Sequence, residues 1–258
     1  GLGQDPAPGP ARPVLRAFGI AVAVLLVTAC SPDDDARPST TTTEPRSDVP
    51  VLTGGNGVFL GSATAAVLPE GYVEEELALA GTATSYRPEG ELTGDGRWTL
   101  VELDTAEYRT RVLVRRPSSA ADFSGTVVVE WLNVSGGIDA SPAYSYLADE
   151  ILRRGHAWVG VSAQHIGVEG GPVLVPTARG EGIAGRGLRA LDPDRYGDLS
   201  HPGDAFAYDI FTQVAAAVRA GDLLGDLEPE QLLAVGESQS AFALTTYANG
   251  IQPLTDAF

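Results

Sequence analysis

The sequence contains a serine between two apolar runs, at a point where the chain must turn sharply. The run 232–235 ends at Gly236, Ser238 follows two residues later, and a second apolar run begins at Ala241. Strand, tight turn and helix in that order form an elbow, which holds a serine hydroxyl clear of its neighbours. Because that hydroxyl is a poor nucleophile at neutral pH, catalysis needs it beside a base and backbone donors. The pattern predicts an elbow with Ser238 as the candidate nucleophile.

The residues around Ser238 match the elbow motif G-x-S-x-G at its first glycine but not at its second. Small residues two before and two after the serine let strand and helix pass closely, and here they are Gly236 and Ser240. Ser240 is small enough to fit, although the match is weaker than with glycine. The alternative is that Ser238 only caps the N-terminus of a helix.

Charge and composition exclude several classes of function. Acidic residues outnumber basic ones by 34 to 17, and a formal charge of −17 opposes binding to nucleic acid or to anionic membrane surfaces. A single cysteine excludes an intramolecular disulfide framework, and three scattered histidines give no zinc signature. We therefore expect no metal and no cofactor.

The N-terminal 30 residues have the features of an export signal. Arg12 and Arg16 precede the apolar run 17–27, which is too short to span a bilayer comfortably, and small residues then lead to Cys30. Residues 27–30 resemble the lipobox of bacterial lipoproteins, which implies that Cys30 is lipidated and becomes the mature N-terminus. The alternatives are an ordinary cleaved signal and an uncleaved anchor. The expected location is the cell envelope, with the lipid as the only membrane contact.

Residues 31–50 contain an aspartate run, several prolines and four consecutive threonines, with almost no large apolar side chain. Such a segment cannot bury enough surface to order itself. It is predicted to be a disordered tether between the lipid and a folded domain over residues 51–258.

The folded part begins with alternating segments and continues with buried ones. Residues 72–86, 98–103 and 108–116 have the period-two spacing of antiparallel strands. The near-continuous apolar runs 126–132 and 156–162 flank a helical pattern over 146–154, which predicts a βαβ unit in a parallel sheet. A long glycine-rich loop over 163–205, a helix over 205–220 and a strand over 232–235 follow. The predicted class is α/β, with antiparallel strands leading into a mostly parallel sheet and flanking helices.

Four stretches resemble the alpha/beta hydrolases, and most closely the bacterial group called alpha/beta hydrolase domain proteins. They are residues 129–137, 155–164, 195–204 and 236–240. The resemblance implies an α/β-hydrolase fold and a serine hydrolase of esterase type that acts on a small-molecule ester, with Ser238 as nucleophile.

The same resemblance implies an oxyanion hole. One donor would be the backbone N–H of Gln239, and the other would come from the loop that includes Val134, Ser135 and Gly136. The alternative for that loop is a tight turn whose glycines serve geometry alone.

The rest of the triad departs from the family's chain order of serine, acid and histidine. No histidine follows Ser238, and Asp256 is the only later acid, whereas His156, His165 and His201 all precede it. We therefore expect the triad acid and histidine to lie outside these 258 residues, and the chain as given to be inactive. The alternatives are a non-catalytic binding or scaffolding lipoprotein, and other chemistry on the same elbow, such as acyl transfer or peptide cleavage.

Overall fold

A computed structural model describes residues 49–62, 68–252 and 255–258 of the chain. The strands in these ranges are β1 (Tyr72–Pro88), β2 (Leu100–Pro117), β3 (Thr126–Trp131), β4 (Ala157–Val161) and β5 (Gln231–Val235). The α-helices are α1 (Pro142–Arg153), α2 (His165–Val168), α3 (Gly187–Leu191), α4 (Pro193–Tyr196), α5 (Ala207–Arg219) and α6 (Gln239–Thr246). No helix in these ranges is long and apolar enough to cross a membrane. Cys30, the signal peptide and most of the tether lie outside them and stay predictions.

The five strands form one mixed sheet in the order β1-β2-β4-β3-β5. Strand β2 pairs antiparallel with β1 and with β4, whereas β3 pairs parallel with both β4 and β5. The predicted class of antiparallel strands leading into a parallel sheet is confirmed. Because β4, β3 and β5 are parallel neighbours, their carboxyl ends lie together at one edge of the sheet, where α/β proteins bind ligands.

Strand β2 is continuous, although the sequence predicts two strands separated by a break near residue 105. Asp104, Thr105 and Glu107 belong to the strand and are exposed, and they lie where the β1–β2 hairpin extends beyond the core. Polar residues on both faces there remove the alternation by which a strand is recognised. The register shifts between Thr84 and Tyr86 on the partner strand.

Alternate residues of the central strands enter cores on opposite faces of the sheet. On β3, Val127 and Val129 pack in the core that contains α5, while Val128 packs in the core that contains α1. The sheet is therefore buried on both sides between helices. This arrangement explains the near-continuous apolar runs that predict β3 and β4.

The segment 163–205, predicted as one long loop, contains α2, α3, α4 and two 3₁₀ turns. Each α-helix is four or five residues long, which is too short to show a helical period in the sequence. Buried Leu188, Tyr196 and Leu199 pack with Leu52 and with Ala78 of β1. The segment thus forms a small apolar core together with the N-terminal part of the domain.

A buried cluster of charges links the sheet to the loop after β3 and to the segment 163–205. The guanidinium of Arg111 on β2 is fully buried, 3.0 Å from Glu76 on β1 and 2.8 Å from Asp139 in the loop after β3. It also donates to Ser162 Oγ and to the carbonyl of Phe59. A buried cation in this position connects four separate stretches of chain.

Glu76 extends the cluster to α4. Its carboxylate forms an ion pair with Arg195 and accepts a hydrogen bond from the hydroxyl of Tyr196 at 3.0 Å. The Arg195 guanidinium also donates to the carbonyl of Gly54. The segment 163–205 is therefore fixed to the sheet by charge as well as by packing.

Replacing Arg111 by alanine is expected to lower the free energy of unfolding by about 3–5 kcal/mol, because Asp139 would stay buried without its cation. The matched control is Arg153→Ala, since Arg153 forms an exposed pair with Glu150 that contributes at most about 1 kcal/mol. Urea-induced unfolding of both variants measures the difference. Equal losses for the two arginines would contradict this account of the cluster.

Candidate active site

Ser238 lies between β5, which ends at Val235, and α6, which begins at Gln239. Its φ of 55° and ψ of −115° make it the one residue other than glycine with positive φ in the described part of the chain. A side chain in this region is strained, and such strain is typical of a nucleophile elbow. The hydroxyl forms no hydrogen bond to the backbone of α6, so Ser238 does not cap the helix through its side chain.

Gly236 and Ser240 allow the sharp turn in different ways. A Cβ on Gly236 would lie 2.9 Å from the carbonyl oxygen of Ser240, so the helix can pass only a glycine at this distance. Ser240 is fully buried, and its hydroxyl donates to the carbonyl oxygen of Glu237 while accepting from the N–H of the same residue, both at 3.0 Å. The serine that weakens the sequence motif therefore closes the turn with two hydrogen bonds.

Asn133 joins the loop after β3 to the elbow. Its side-chain amide donates to the carbonyl of Glu237 at 2.8 Å, and its backbone pairs in both directions with Ala140. The amide oxygen accepts from the N–H of Ser135 at 2.9 Å and from the hydroxyl of the same residue at 2.6 Å. Sequence reasoning missed this role, for which an amide at the end of a buried strand is the only signal.

The structure distinguishes the candidate oxyanion donors by whether their N–H groups are already hydrogen-bonded. The N–H of Ser135 is already bound to Asn133, so it is not available to a substrate. The N–H of Val134 lies 3.5 Å from the side-chain oxygen of Gln239, which is too long for a strong hydrogen bond. Gln239 begins α6, where the first backbone N–H groups have no partner within the helix. Val134 and Gln239 are therefore brought together, Ser135 drops out as a backbone donor, and Gly136 lies in the adjacent cleft wall.

A cleft of about 450 Å³ opens beside Ser238, within the range of small-molecule sites. Its lining combines small apolar residues with uncharged polar ones: Gly61, Ser62, Asn133, Ser135, Gly136, Ile138, Ala140, Pro142, Ser145, Tyr146, Thr177, Glu237 and Ser238. Among these described residues Glu237 alone carries a formal charge. The cleft can therefore hold an uncharged molecule next to the serine.

A buried carboxylate fixes one wall of the cleft. Glu130 on β3 accepts from the N–H groups of Ala143 and Tyr144 at the start of α1, and from the indole of Trp158, each at 2.9 Å. Burial raises the pKa of Glu130 to about 7, outweighing these three donors, which lower it. The contacts hold the N-terminus of α1, whose Pro142 lines the cleft.

His201 has a structural role, because both of its ring nitrogens are hydrogen-bonded to the backbone. It is buried, its Nε2 lies 2.8 Å from the carbonyl oxygen of Ala163, and its Nδ1 accepts from the N–H of Gly203. Both ring nitrogens are thus used by the neutral ring, with the proton on Nε2. Burial also lowers the pKa of His201, which favours that neutral form.

Neither of the other two histidines is hydrogen-bonded to Ser238 in the described ranges. His156 pairs with Ser124 at the amino end of β4, a strand length from the edge that holds Ser238, since a strand rises by about 3.3 Å per residue. His165 follows β4, and its Nδ1 lies 3.0 Å from the carbonyl oxygen of His201. In the described ranges, no histidine is hydrogen-bonded to the Ser238 hydroxyl, and no group of three or more His, Cys, Asp or Glu residues is placed to hold a metal ion.

The strain at Ser238 predicts a stability difference between two inactive variants. Ser238→Gly is expected to be more stable than Ser238→Ala by about 1 kcal/mol, because positive φ costs alanine about 1–3 kcal/mol while glycine loses only about 0.5–1 kcal/mol to its greater unfolded-state freedom. Urea-induced unfolding of the pair measures it. An alanine variant as stable as the glycine variant would show that the backbone at 238 is unstrained.

Comparison with known proteins gives a clear family and little beyond it. No curated protein matches the chain. Among solved structures, a glucuronoyl esterase from Solibacter usitatus is similar with 13% identity and a TM-score of 0.26, over 68% of this chain and 48% of that one. The chain thus spans about half the length of that enzyme. The sequence matches the alpha/beta hydrolase domain family over residues 40–258, and the chain therefore belongs to this family of hydrolases.

Proposed function

We propose that the protein hydrolyses carboxylic esters through an acyl-serine intermediate at Ser238. The observation that carries the proposal is the strained backbone of Ser238 at the end of β5, which places an unbonded hydroxyl in the wall of a cleft. The proposal takes as oxyanion donors the N–H of Gln239, at the start of α6, and the N–H of Val134, which faces the side-chain oxygen of Gln239 at 3.5 Å. Family membership supports hydrolysis in general, and the ester specificity is our inference.

In the proposed first step, Ser238 Oγ attacks the ester carbonyl carbon while a general base takes the hydroxyl proton. The negative charge then moves to the former carbonyl oxygen, where the N–H groups of Gln239 and Val134 stabilise it. The tetrahedral intermediate collapses by breaking the bond to the alcohol oxygen, which leaves with the proton from the base. A water molecule then attacks the acyl-serine in the same way, and breakage of the bond to Ser238 Oγ releases the carboxylic acid and restores the serine.

The proposal assigns the general base to residues outside the described part of the chain. Within that part, the ring nitrogens of His201 are both bonded, Nδ1 of His165 lies 3.0 Å from the carbonyl oxygen of His201, and His156 lies at the opposite edge of the sheet. In this fold the triad acid and histidine follow the serine in the sequence. We therefore assign neither role to a described residue.

The lining of the cleft narrows the substrate class. Glu237 precedes the nucleophile and lines the cleft. Burial is the main cause of the raised pKa of Glu130 on the α1 side of the cleft, and a weaker Coulombic repulsion from Glu237 adds to it. The hydroxyl groups of Ser62, Ser145 and Thr177 also line the cleft; they are uncharged and are bonded to Ser141, Ser141 and Gly180 respectively. A small uncharged or cationic ester fits this lining, whereas a carboxylate next to the scissile bond would meet the charge of Glu237.

A fluorophosphonate probe should label the protein expressed from its complete reading frame, with the adduct on Ser238. Ser238→Ala should lose the label, because the oxygen that attacks phosphorus is gone. Ser124→Ala is the matched control, since Ser124 lies at the other edge of the sheet beside His156, and it should label as the wild type does. In-gel fluorescence and peptide mass spectrometry provide the measurement.

Label that survives Ser238→Ala would show that another residue is the nucleophile. A folded full-length protein that takes no label would favour the non-catalytic alternative, a binding lipoprotein that retains the hydrolase fold.

Glu237→Gln should raise kcat/KM for a monoanionic ester by up to about fivefold and leave that for a neutral ester of the same size unchanged, because Glu237 is exposed and the solvent-screened repulsion that is removed is at most about 1 kcal/mol. Glu181→Gln is the control, since Glu181 is exposed and not part of this cleft. Steady-state hydrolysis of the ester pair measures the ratio. An unchanged ratio would mean that Glu237 does not face the substrate.

A further inference from the structure

Three side chains form a hydrogen-bonded chain beside the elbow. The indole N–H of Trp131 donates to Gln164 Oε1 at 3.1 Å, and the side-chain N–H of Gln239 donates to the same oxygen at 2.8 Å. The other end of the Gln239 amide, Oε1, faces the N–H of Val134 at 3.5 Å. The contacts join positions 33 and 75 residues apart in sequence.

The orientation of both amides follows from the indole. Tryptophan can only donate, so Gln164 must present its oxygen to Trp131. The second donor to that oxygen must then be the Gln239 amide nitrogen, which turns the Gln239 oxygen toward Val134. The indole itself is fixed, because Trp131 is 1% exposed and its ring packs on Phe211 at a centroid distance of 5.0 Å.

The hydrogen bonds among Trp131, Gln164 and Gln239 run across the carboxyl ends of three adjacent strands. Trp131 ends β3, Gln164 follows β4, and Gln239 follows β5 at the start of α6. Asn133 makes the matching link on the other side of the nucleophile, since its amide is bound to the carbonyl of Glu237. The residue before Ser238 is therefore bound to the loop that carries Val134, and the residue after it is bound to Gln164 and faces Val134 at 3.5 Å.

From this geometry we propose that Gln164 is a positioning residue, which fixes the spacing between the backbone N–H groups of Gln239 and Val134. The inference rests on the proposed function and adds a residue that touches neither substrate nor nucleophile. The Val134 N–H is directed at the Gln239 oxygen at 3.5 Å, a weak hydrogen bond that a developing oxyanion can replace. Gln164 thus acts on the transition state and leaves substrate binding unchanged.

Gln164→Met tests the proposal, because methionine keeps the length of the side chain and removes the acceptor. In the full-length protein kcat should fall by about tenfold or more with KM unchanged, as expected when an interaction specific to the transition state is weakened. The rate constant of fluorophosphonate labelling should fall in parallel. Trp131→Phe removes the indole donor together with part of a buried ring, and a fall in kcat at unchanged KM is again expected; it carries the test if Gln164→Met does not fold.

A matched control separates positioning from general packing. Gln213→Met replaces another hydrogen-bonded glutamine, which contacts Tyr108 and Asp209 away from the elbow, and it should leave kcat unchanged. An independent readout is the indole N–H resonance of Trp131, identified by its loss in Trp131→Phe, which should shift in Gln164→Met and not in Gln213→Met. A resonance that does not move would overturn the proposed contact.

The outcomes also separate this inference from the function on which it rests. Normal labelling of Ser238 in Gln164→Met at the wild-type rate would overturn the positioning role and leave the nucleophile intact. A loss of kcat matched by an equal rise in KM, or by an equal loss in Gln213→Met, would likewise overturn it. Failure of Ser238 to label in the wild type would remove the proposed function, and the role of Gln164 with it.

Discussion

The buried guanidinium of Arg111 is the interaction on which the active edge of the sheet depends. It binds Asp139, and the next residue, Ala140, pairs in both directions with Asn133, whose amide holds the carbonyl of Glu237 beside the nucleophile. Charge buried inside β2 is thereby connected to the elbow through a few contacts. Because a buried ion pair offers little net stability over an apolar core, we infer that this one serves to specify where the loop lies.

That placement matters because Ser238 has a backbone conformation that its own residue type disfavours. A strained residue keeps its conformation only if its surroundings determine it, and three side chains do so here. Ser240 closes the turn through Glu237, Asn133 holds the same residue from the loop, and Gln164 holds Gln239 on the other side. The elbow is thus fixed by hydrogen bonds that do not use the nucleophile's own hydroxyl.

Much of the fold could be predicted from the sequence, because buried strands and amphipathic helices leave local patterns. The βαβ unit and the strand before Ser238 follow from apolar runs of the expected length, and the structure confirms both. The contacts that build the site could not be predicted, since Asn133 and Glu237 are 104 residues apart and no local pattern records an amide that faces a carbonyl. For the same reason the sequence could not show that the Ser135 N–H is bound to the side chain of Asn133. The helices within 163–205 were hidden by their shortness.

The most direct test of the account is a crystal structure of the full-length protein after reaction with a phosphonate. The account predicts a phosphorus–oxygen bond to Ser238 Oγ, with the phosphonyl oxygen about 2.7–3.1 Å from the backbone nitrogens of both Gln239 and Val134. The Asn133 and Gln164 contacts should be retained in the adduct. A phosphonyl oxygen that points into solvent, or that is bound by Ser135 or Gly136 in place of Val134, would contradict the proposed oxyanion hole.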